Sequence, residues 1–82
     1  MKSIRYTADA AKALRRHANR ADRLRRAIRD YAEDPAAHAN NIRSLVGVDA
    51  KRLRVGDFRI LFSETADEIL LLRIGPRGEI YD

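Results

Sequence analysis

Hydrophobic residues recur along this chain in two rhythms, and the change from one to the other divides it. Residues 2–6 (Lys-Ser-Ile-Arg-Tyr) alternate, with Ile4 and Tyr6 on one side, the period-two mark of a short strand. The period then becomes helical. Thr7 stands where its hydroxyl can cap a helix, with Asp9 in the first turn where the helix dipole favours a carboxylate. Ala11, Leu14 and Ala18 form a narrow apolar stripe on that helix. Asn19 is expected to break and re-cap the chain. Ala21, Leu24, Ala27, Ile28, Tyr31 and Ala32 then recur at steps of three and four until Pro35 ends the second helix. The two helices are expected to form an antiparallel hairpin. Its outer surface would carry Arg15, Arg16, Arg20, Arg23, Arg25, Arg26 and Arg29 against one acid, Asp22.

From Pro35 to Asn41 the composition is that of a loop, and Ile42 to Val46 reads as a short strand or an extended lead-in closed by Gly47. The rest reads as a meander. Its strands are Lys51–Val55, Phe58–Ser63 and Ile69–Gly75, joined by a Gly56-Asp57 turn and a short turn around Ala66. The last strand is almost continuously apolar, as expected of a central strand buried on both faces. Pro76-Arg77-Gly78 turns the chain once more, and residues 79–82 form a terminal extended stub. The prediction is an α+β domain spanning residues 1–82, β-α-α-β-β-β, with the helix hairpin on one face of a mostly antiparallel sheet.

Register arithmetic sharpens this picture. A two-residue Gly56-Asp57 loop pairs Val55 with Phe58 and Leu53 with Ile60, so these four share the core face. The other face then pairs Arg54 with Arg59 and sets Arg52 opposite Leu61. Like charges across a strand pair are destabilising, on the scale of the ~0.2–1 kcal/mol that favourable pairs contribute, so an anion is expected to compensate. If Leu70, Leu72 and Ile74 face the core, parity requires an odd turn, Thr65-Ala66-Asp67, and Arg73 joins the arginine face.

Length and composition narrow the function classes. Eighty-two residues support one modest core. Without cysteine, disulfides, thiolate metal sites and thiol nucleophiles are all excluded. No apolar run is long enough for a secretory signal or a membrane span, and a cytoplasmic location without membrane association is expected. Seventeen basic residues oppose twelve acidic ones, for a net charge of +5, and fourteen of the seventeen are Arg. Arginine suits forked contact with phosphate or carboxylate, so a polyanion or an acidic protein is the expected partner. GC-rich coding is the alternative source of the arginines, and thirteen alanines are consistent with it. His17 and His38 lie far apart without a paired carboxylate spacing, and no phosphate-loop, dinucleotide or calcium-loop motif occurs. Neither metal nor cofactor is expected.

Four stretches carry a family resemblance. Lys51-Arg-Leu-Arg-Val-Gly-Asp-Phe-Arg-Ile-Leu-Phe62 and Leu72-Arg-Ile-Gly-Pro-Arg-Gly-Glu-Ile-Tyr81, with Leu45-Val46-Gly47 ahead of them and Lys12-Ala13-Leu14 in the first helix, resemble the RelE/ParE superfamily of bacterial type II toxin–antitoxin toxins. The RelE branch of that superfamily cuts messenger RNA in the ribosomal decoding site, whereas ParE relatives poison DNA gyrase without cutting RNA. The resemblance to the RelE branch implies a ribosome-dependent endoribonuclease, held in a hetero-oligomer by a cognate antitoxin. The other readings are a gyrase inhibitor and an inactive relative retained for antitoxin binding. Carried over by position, Arg59, Arg77 and Tyr81 are the candidate catalytic residues, and Lys51, Arg52, Arg54 and Arg73 the candidate phosphate-binding ones. Arginines stand where RelE-like enzymes have lysines, and Pro76 occupies a position that is often His or Lys.

The residue types fit the chemistry. Metal-independent RNA cleavage uses the neighbouring 2′-hydroxyl as nucleophile, so a protein must take that proton, stabilise charge on the phosphate and help the 5′ oxygen leave. Arg59 and Arg77 suit the clamp. Tyr81 suits the base if its ordinary pKa of ~10 falls, and a cation about 4 Å away at an effective dielectric of 20 supplies about 4 kcal/mol toward that.

Overall fold

The computed structural model describes residues 2–80. The alternation at the start becomes β1 (Ser3–Tyr6), and the two helical stretches become α1 (Ala8–Arg16) and α2 (Ala18–Glu33). A 3₁₀ helix (Pro35–Asn41) leads into β2 (Ile42–Ser44), followed by β3 (Lys51–Val55), β4 (Phe58–Glu64) and β5 (Glu68–Pro76). The strands form one sheet in the order β1-β5-β4-β3-β2. Only the β1–β5 pairing is parallel, so the sheet is mostly antiparallel and the class is α+β. No helix of the described residues is long and apolar enough to cross a membrane.

Thr7 fixes the joint between strand and helix. Its Oγ1 accepts a hydrogen bond from Ala10 N at 3.1 Å, capping α1, while its hydroxyl donates to the Leu72 carbonyl at 2.8 Å and its N–H to the Leu71 carbonyl at 3.0 Å. The helix break falls at His17, two residues before the expected Asn19, and no side chain caps the start of α2. His17 sets its ring edge-on to Phe58, with centroids 5.0 Å apart, so a tertiary contact marks the break. Asp34 and Pro35 end α2, and the predicted loop winds into a 3₁₀ helix whose start the Asp34 carboxylate caps at Ala37 N.

Ala10 and Leu14 of α1 and Ala21, Leu24, Ile28, Tyr31 and Ala32 of α2 pack on Leu53, Phe58, Ile60, Phe62, Ile69, Leu71 and Ile74 in one core. The β3–β4 register is the predicted one, with Val55 opposite Phe58, Leu53 opposite Ile60 and Arg54 opposite Arg59. The β4–β5 register differs. Glu64 pairs with Ile69 and Phe62 with Leu71, but Leu61 pairs with Arg73, so Leu72 has no partner across the ladder. Parity did demand one odd residue, and a β-bulge supplies it where the turn was expected to. The core residues are therefore Ile69 and Leu71, not Leu70 and Leu72, and beyond the bulge Ile74 and Arg73 return to the expected faces.

Candidate nucleic-acid interface

Gly56 opens the β3–β4 turn with φ +57°, a backbone that a residue with a Cβ adopts at a cost. A Cβ there would also lie 3.0 Å from a guanidinium nitrogen of Arg23, which reaches the turn from α2. Arg20, one helical step earlier, holds its Cζ 5.6 Å from the Phe58 ring centroid. Two helix arginines therefore lean on the sheet's turn.

Arg59 approaches the same turn from within the hairpin. It is 7% exposed, and its Nη1 donates to the carbonyls of Gly56 and Phe58, both at 3.0 Å. Its Nε is buried and has no hydrogen-bond partner among the described residues. Buried polar groups are nearly always paired, and an orphan on a cation calls for an explanation. Arg77 joins them through its backbone, whose N–H donates to the Asp57 carbonyl at 2.7 Å, while its side chain is exposed. The structure thus brings Arg59 and Arg77 to one end of the sheet. Tyr81 lies outside the described residues.

The other predicted residues divide. Arg54 stands opposite Arg59, is exposed, and donates to Asn41 Oδ1 at 3.2 Å. Arg52 and Arg73 both pair across the ladders with Leu61, so they share the arginine face, Arg52 buried and Arg73 exposed. Lys51 is on the opposite side. Its strand position pairs with Phe62 on the core face, and its Nζ lies 2.9 Å from Glu64 Oε1.

Glu64 is the centre of a cluster that sequence reasoning missed. Lys2 Nζ donates to its Oε2 at 2.6 Å, and Tyr31 Oη and Lys51 Nζ donate to its Oε1 at 2.7 and 2.9 Å. Burial favours the protonated carboxyl, but the hydrogen bonds from Lys2, Tyr31 and Lys51 outweigh it and hold the pKa at about 2. Burial, the hydrogen bond to Glu64 and its charge push the Tyr31 hydroxyl well up. The signal was present in the strand pattern. Parity puts Glu64 on the same face as Phe58, Ile60 and Phe62, and a carboxylate on a core face needs partners.

Ion pairs elsewhere among the described residues join Arg5 to Glu68 at 3.6 Å and Arg16 to Glu79 at 3.7 Å. Arg20, Arg23, Arg54, Arg59, Arg73 and Arg77 form none. The turn end of the sheet concentrates guanidinium groups that form no ion pair among the described residues, with donors in the fork that fits phosphate oxygens. No group of three or more His, Asp or Glu residues in the described part of the chain is arranged to hold a metal ion.

The family model for the ParE toxin of type II toxin–antitoxin systems matches residues 4–81. The chain belongs to the ParE toxin family. It is a toxin of the RelE/ParE superfamily, and no curated protein sequence matches it. The fold recurs in solved structures. A chain of the RelE–RelB complex from Pyrococcus horikoshii aligns with a TM-score of 0.76 at 22% identity, covering 96% of this toxin and 98% of that chain. A chain of the RelBE2 toxin–antitoxin complex from Mycobacterium tuberculosis gives 0.74 at 21%, covering 93% and 98%. The DinJ–YafQ complex of E. coli gives 0.66 at 15%, with each chain covered fully.

Proposed function

We propose that this toxin inhibits translation by cutting messenger RNA on the ribosome, through attack of a 2′-hydroxyl on the adjacent phosphate. The observation that carries the reading is Arg59: a buried guanidinium, oriented by the Gly56 and Phe58 carbonyls, whose Nε has no partner among the described residues. A phosphate oxygen supplies the missing acceptor, and charge developing on that oxygen in the transition state strengthens the bond. Arg77 closes the clamp from the neighbouring turn. Tyr81, four residues beyond Arg77, takes the 2′-hydroxyl proton, and Arg52, Arg54 and Arg73 hold flanking phosphates. Lys51 is committed to Glu64 and has no part in this proposal.

Dependence on the ribosome follows from the same geometry. Engaging RNA means bringing a phosphate to the buried Arg59 Nε, and an arginine is a poor proton donor to the leaving 5′ oxygen. An external scaffold that holds the strand in line lowers both demands. The partner in the resting cell is a cognate antitoxin, a reading supported by the toxin–antitoxin complexes among the structural relatives. Its contacting segment is acidic or amphipathic, matching the net charge of +5. The proposed site of action is the cytoplasm.

Primer extension on messenger RNA from cells briefly expressing the toxin tests the reading. Discrete cuts inside translated codons are expected, with little cutting of naked RNA and loss of cuts in Tyr81→Phe. Intact message with trapped DNA breaks would replace it with gyrase poisoning.

A further inference from the structure

The geometry points to a second RNA phosphate subsite, separate from the cleavage clamp, in the cleft where α2 faces the end of β3. This inference rests on the reading that the turn end of the sheet binds RNA, and adds where the strand goes next. The cleft holds about 400 Å³ and is lined by Arg23, Ala27, Asp30, His38, Asn41 and Arg54, among others. Arg23 stands on one wall and Arg54 on the other, and neither forms an ion pair among the described residues.

Position makes this a track and not a scatter of surface charge. Arg20, Arg23, Ala27 and Asp30 follow one stripe of α2 at steps of three and four. Arg20 and Arg23 are held toward the sheet by Phe58 and Gly56, with Arg23 against the same glycine whose carbonyl receives Arg59. Arg25 and Arg29 belong to another stripe, near Tyr6 on β1, where burial raises the tyrosine's pKa and the charges of the two arginines partly oppose that rise. A phosphodiester backbone leaving the Arg59–Arg77 clamp meets Arg23 and Arg54 on crossing the Gly56-Asp57 turn. Asp30, two helical turns beyond Arg23, ends the positive run. The occupant is single-stranded RNA flanking the scissile phosphate. An acidic protein segment is the competing class of ligand.

The test uses the full-length toxin and 2′-O-methyl oligoribonucleotides, which cannot be cleaved through the 2′ oxygen. Binding is followed by fluorescence anisotropy across a salt series. For single strands each neutralised phosphate contributes about 0.7 to the slope of log K against log salt, so Arg20→Gln with Arg23→Gln should lower the slope by about 1.4 on a long oligomer. A trinucleotide, which fills the clamp alone, should show no such change. Arg25→Gln with Arg29→Gln removes equal charge from the same helix and should leave the slope close to the parent's. Arg20→Lys with Arg23→Lys should restore it, at an unchanged melting temperature.

Equal losses in the two glutamine pairs would reduce the effect to net charge and overturn the subsite. So would an unchanged slope on the long oligomer, or normal RNA binding with lost affinity for an acidic peptide. Cleavage is read separately in a translating extract. If Arg59→Ala still cuts while the Arg20/Arg23 pair lowers the slope, the subsite stands and the cleavage assignment falls. If cutting needs Arg59 but the slope ignores Arg20 and Arg23, the subsite alone falls.

Discussion

At one end of the β3–β4 hairpin, Lys2, Lys51 and Tyr31 aim their polar atoms at the carboxylate of Glu64. At the other end, Arg20, Arg23, Arg54, Arg59 and Arg77 gather around the Gly56-Asp57 turn and form no ion pair among the described residues. Both ends draw on β3, β4 and α2 for their polar side chains, with Lys2 added at one and Arg77 at the other. At the Glu64 end every donor has found an internal acceptor, so the charges serve the fold by tying β1, α2, β3 and β4 together. At the turn end the guanidinium groups form no such ion pair among the described residues. Burial alone does not separate the two, because Arg59 and the side chain of Glu64 are both largely withdrawn from solvent. Compensation does: the Glu64 carboxylate has three donors, whereas the buried Arg59 Nε has no acceptor among the described residues.

Breaking each end should therefore produce opposite phenotypes. The largest effect is expected from Arg59→Ala. Loss of one preorganised donor to a developing oxyanion typically costs about 10²–10³ in rate, so codon-specific cutting in a translating extract should fall by that order. Stability should change little, because relief of the Arg54 repulsion offsets the lost bonds to Gly56 and Phe58. A variant that melts far earlier and still cuts would reverse the roles assigned to the two ends.

Glu64→Gln should do the converse. It leaves the Lys2 and Lys51 cations facing a neutral amide and is expected to cost about 1–3 kcal/mol at neutral pH, while clamp chemistry persists in the folded fraction. The pH dependence carries a definite sign. Glu64 is lowered from 4.5 to about 2 in the folded chain, so its contribution is fully present above pH 4.5 and is lost as pH falls toward 2. The parent's melting temperature should drop through that window more steeply than the variant's. Parallel curves would show that the cluster does not stabilise the fold.

A smaller and different penalty is expected at Gly56. Alanine there meets both the φ of +57° and the Arg23 guanidinium, and the left-handed backbone costs about 1–2 kcal/mol. Asparagine tolerates that backbone better, so Gly56→Asn should melt later than Gly56→Ala while still displacing Arg23. Equal melting temperatures would assign the cost to the Arg23 contact instead of the backbone, and circular dichroism melts decide between them.

Much of this contrast was legible in the sequence, and what was not has physical causes. Strand parity placed Arg52, Arg54 and Arg59 on one face because a two-residue turn leaves the β3–β4 register no freedom. Parity misassigned the first half of β5, since it counts an odd residue without saying whether a turn or a bulge takes it. Leu72 took it, and its carbonyl is satisfied by the Thr7 hydroxyl, a contact between residues 65 positions apart. The helix break moved to His17 for a similar reason, the partner ring being Phe58. Within the candidate site, the pattern showed that Arg59 was on the open face but not that its Nε would lack a partner. The pattern also gave Arg20 and Arg23 no distinction from Arg25 and Arg29, because only the packing of α2 over the turn separates them. Lys51 was grouped with the arginines by charge, although its place in the alternation put it beside Phe62 and within reach of Glu64.

The smallest effect concerns the pair that first drew attention to the turn end. Arg54 and Arg59 are directly opposed on antiparallel strands, and their repulsion is on the order of 0.2–1 kcal/mol. Arg54→Gln removes one charge and keeps an amide donor for Asn41 Oδ1, which Arg54 reaches at 3.2 Å. A rise of roughly 1–8 °C in melting temperature is expected, since 1 kcal/mol corresponds to about 4–8 °C in a domain of this size. Salt sharpens the assignment. Repulsion between a solvent-facing charge and its neighbour is screened over about 10 Å at 0.1 M salt and about 3 Å at 1 M, so the gain should shrink as salt rises if repulsion is its source. A gain that survives high salt would trace instead to better packing of glutamine against Asn41. No gain at low salt would mean that the free turn end is not electrostatically strained, and the anion would then be optional to the fold.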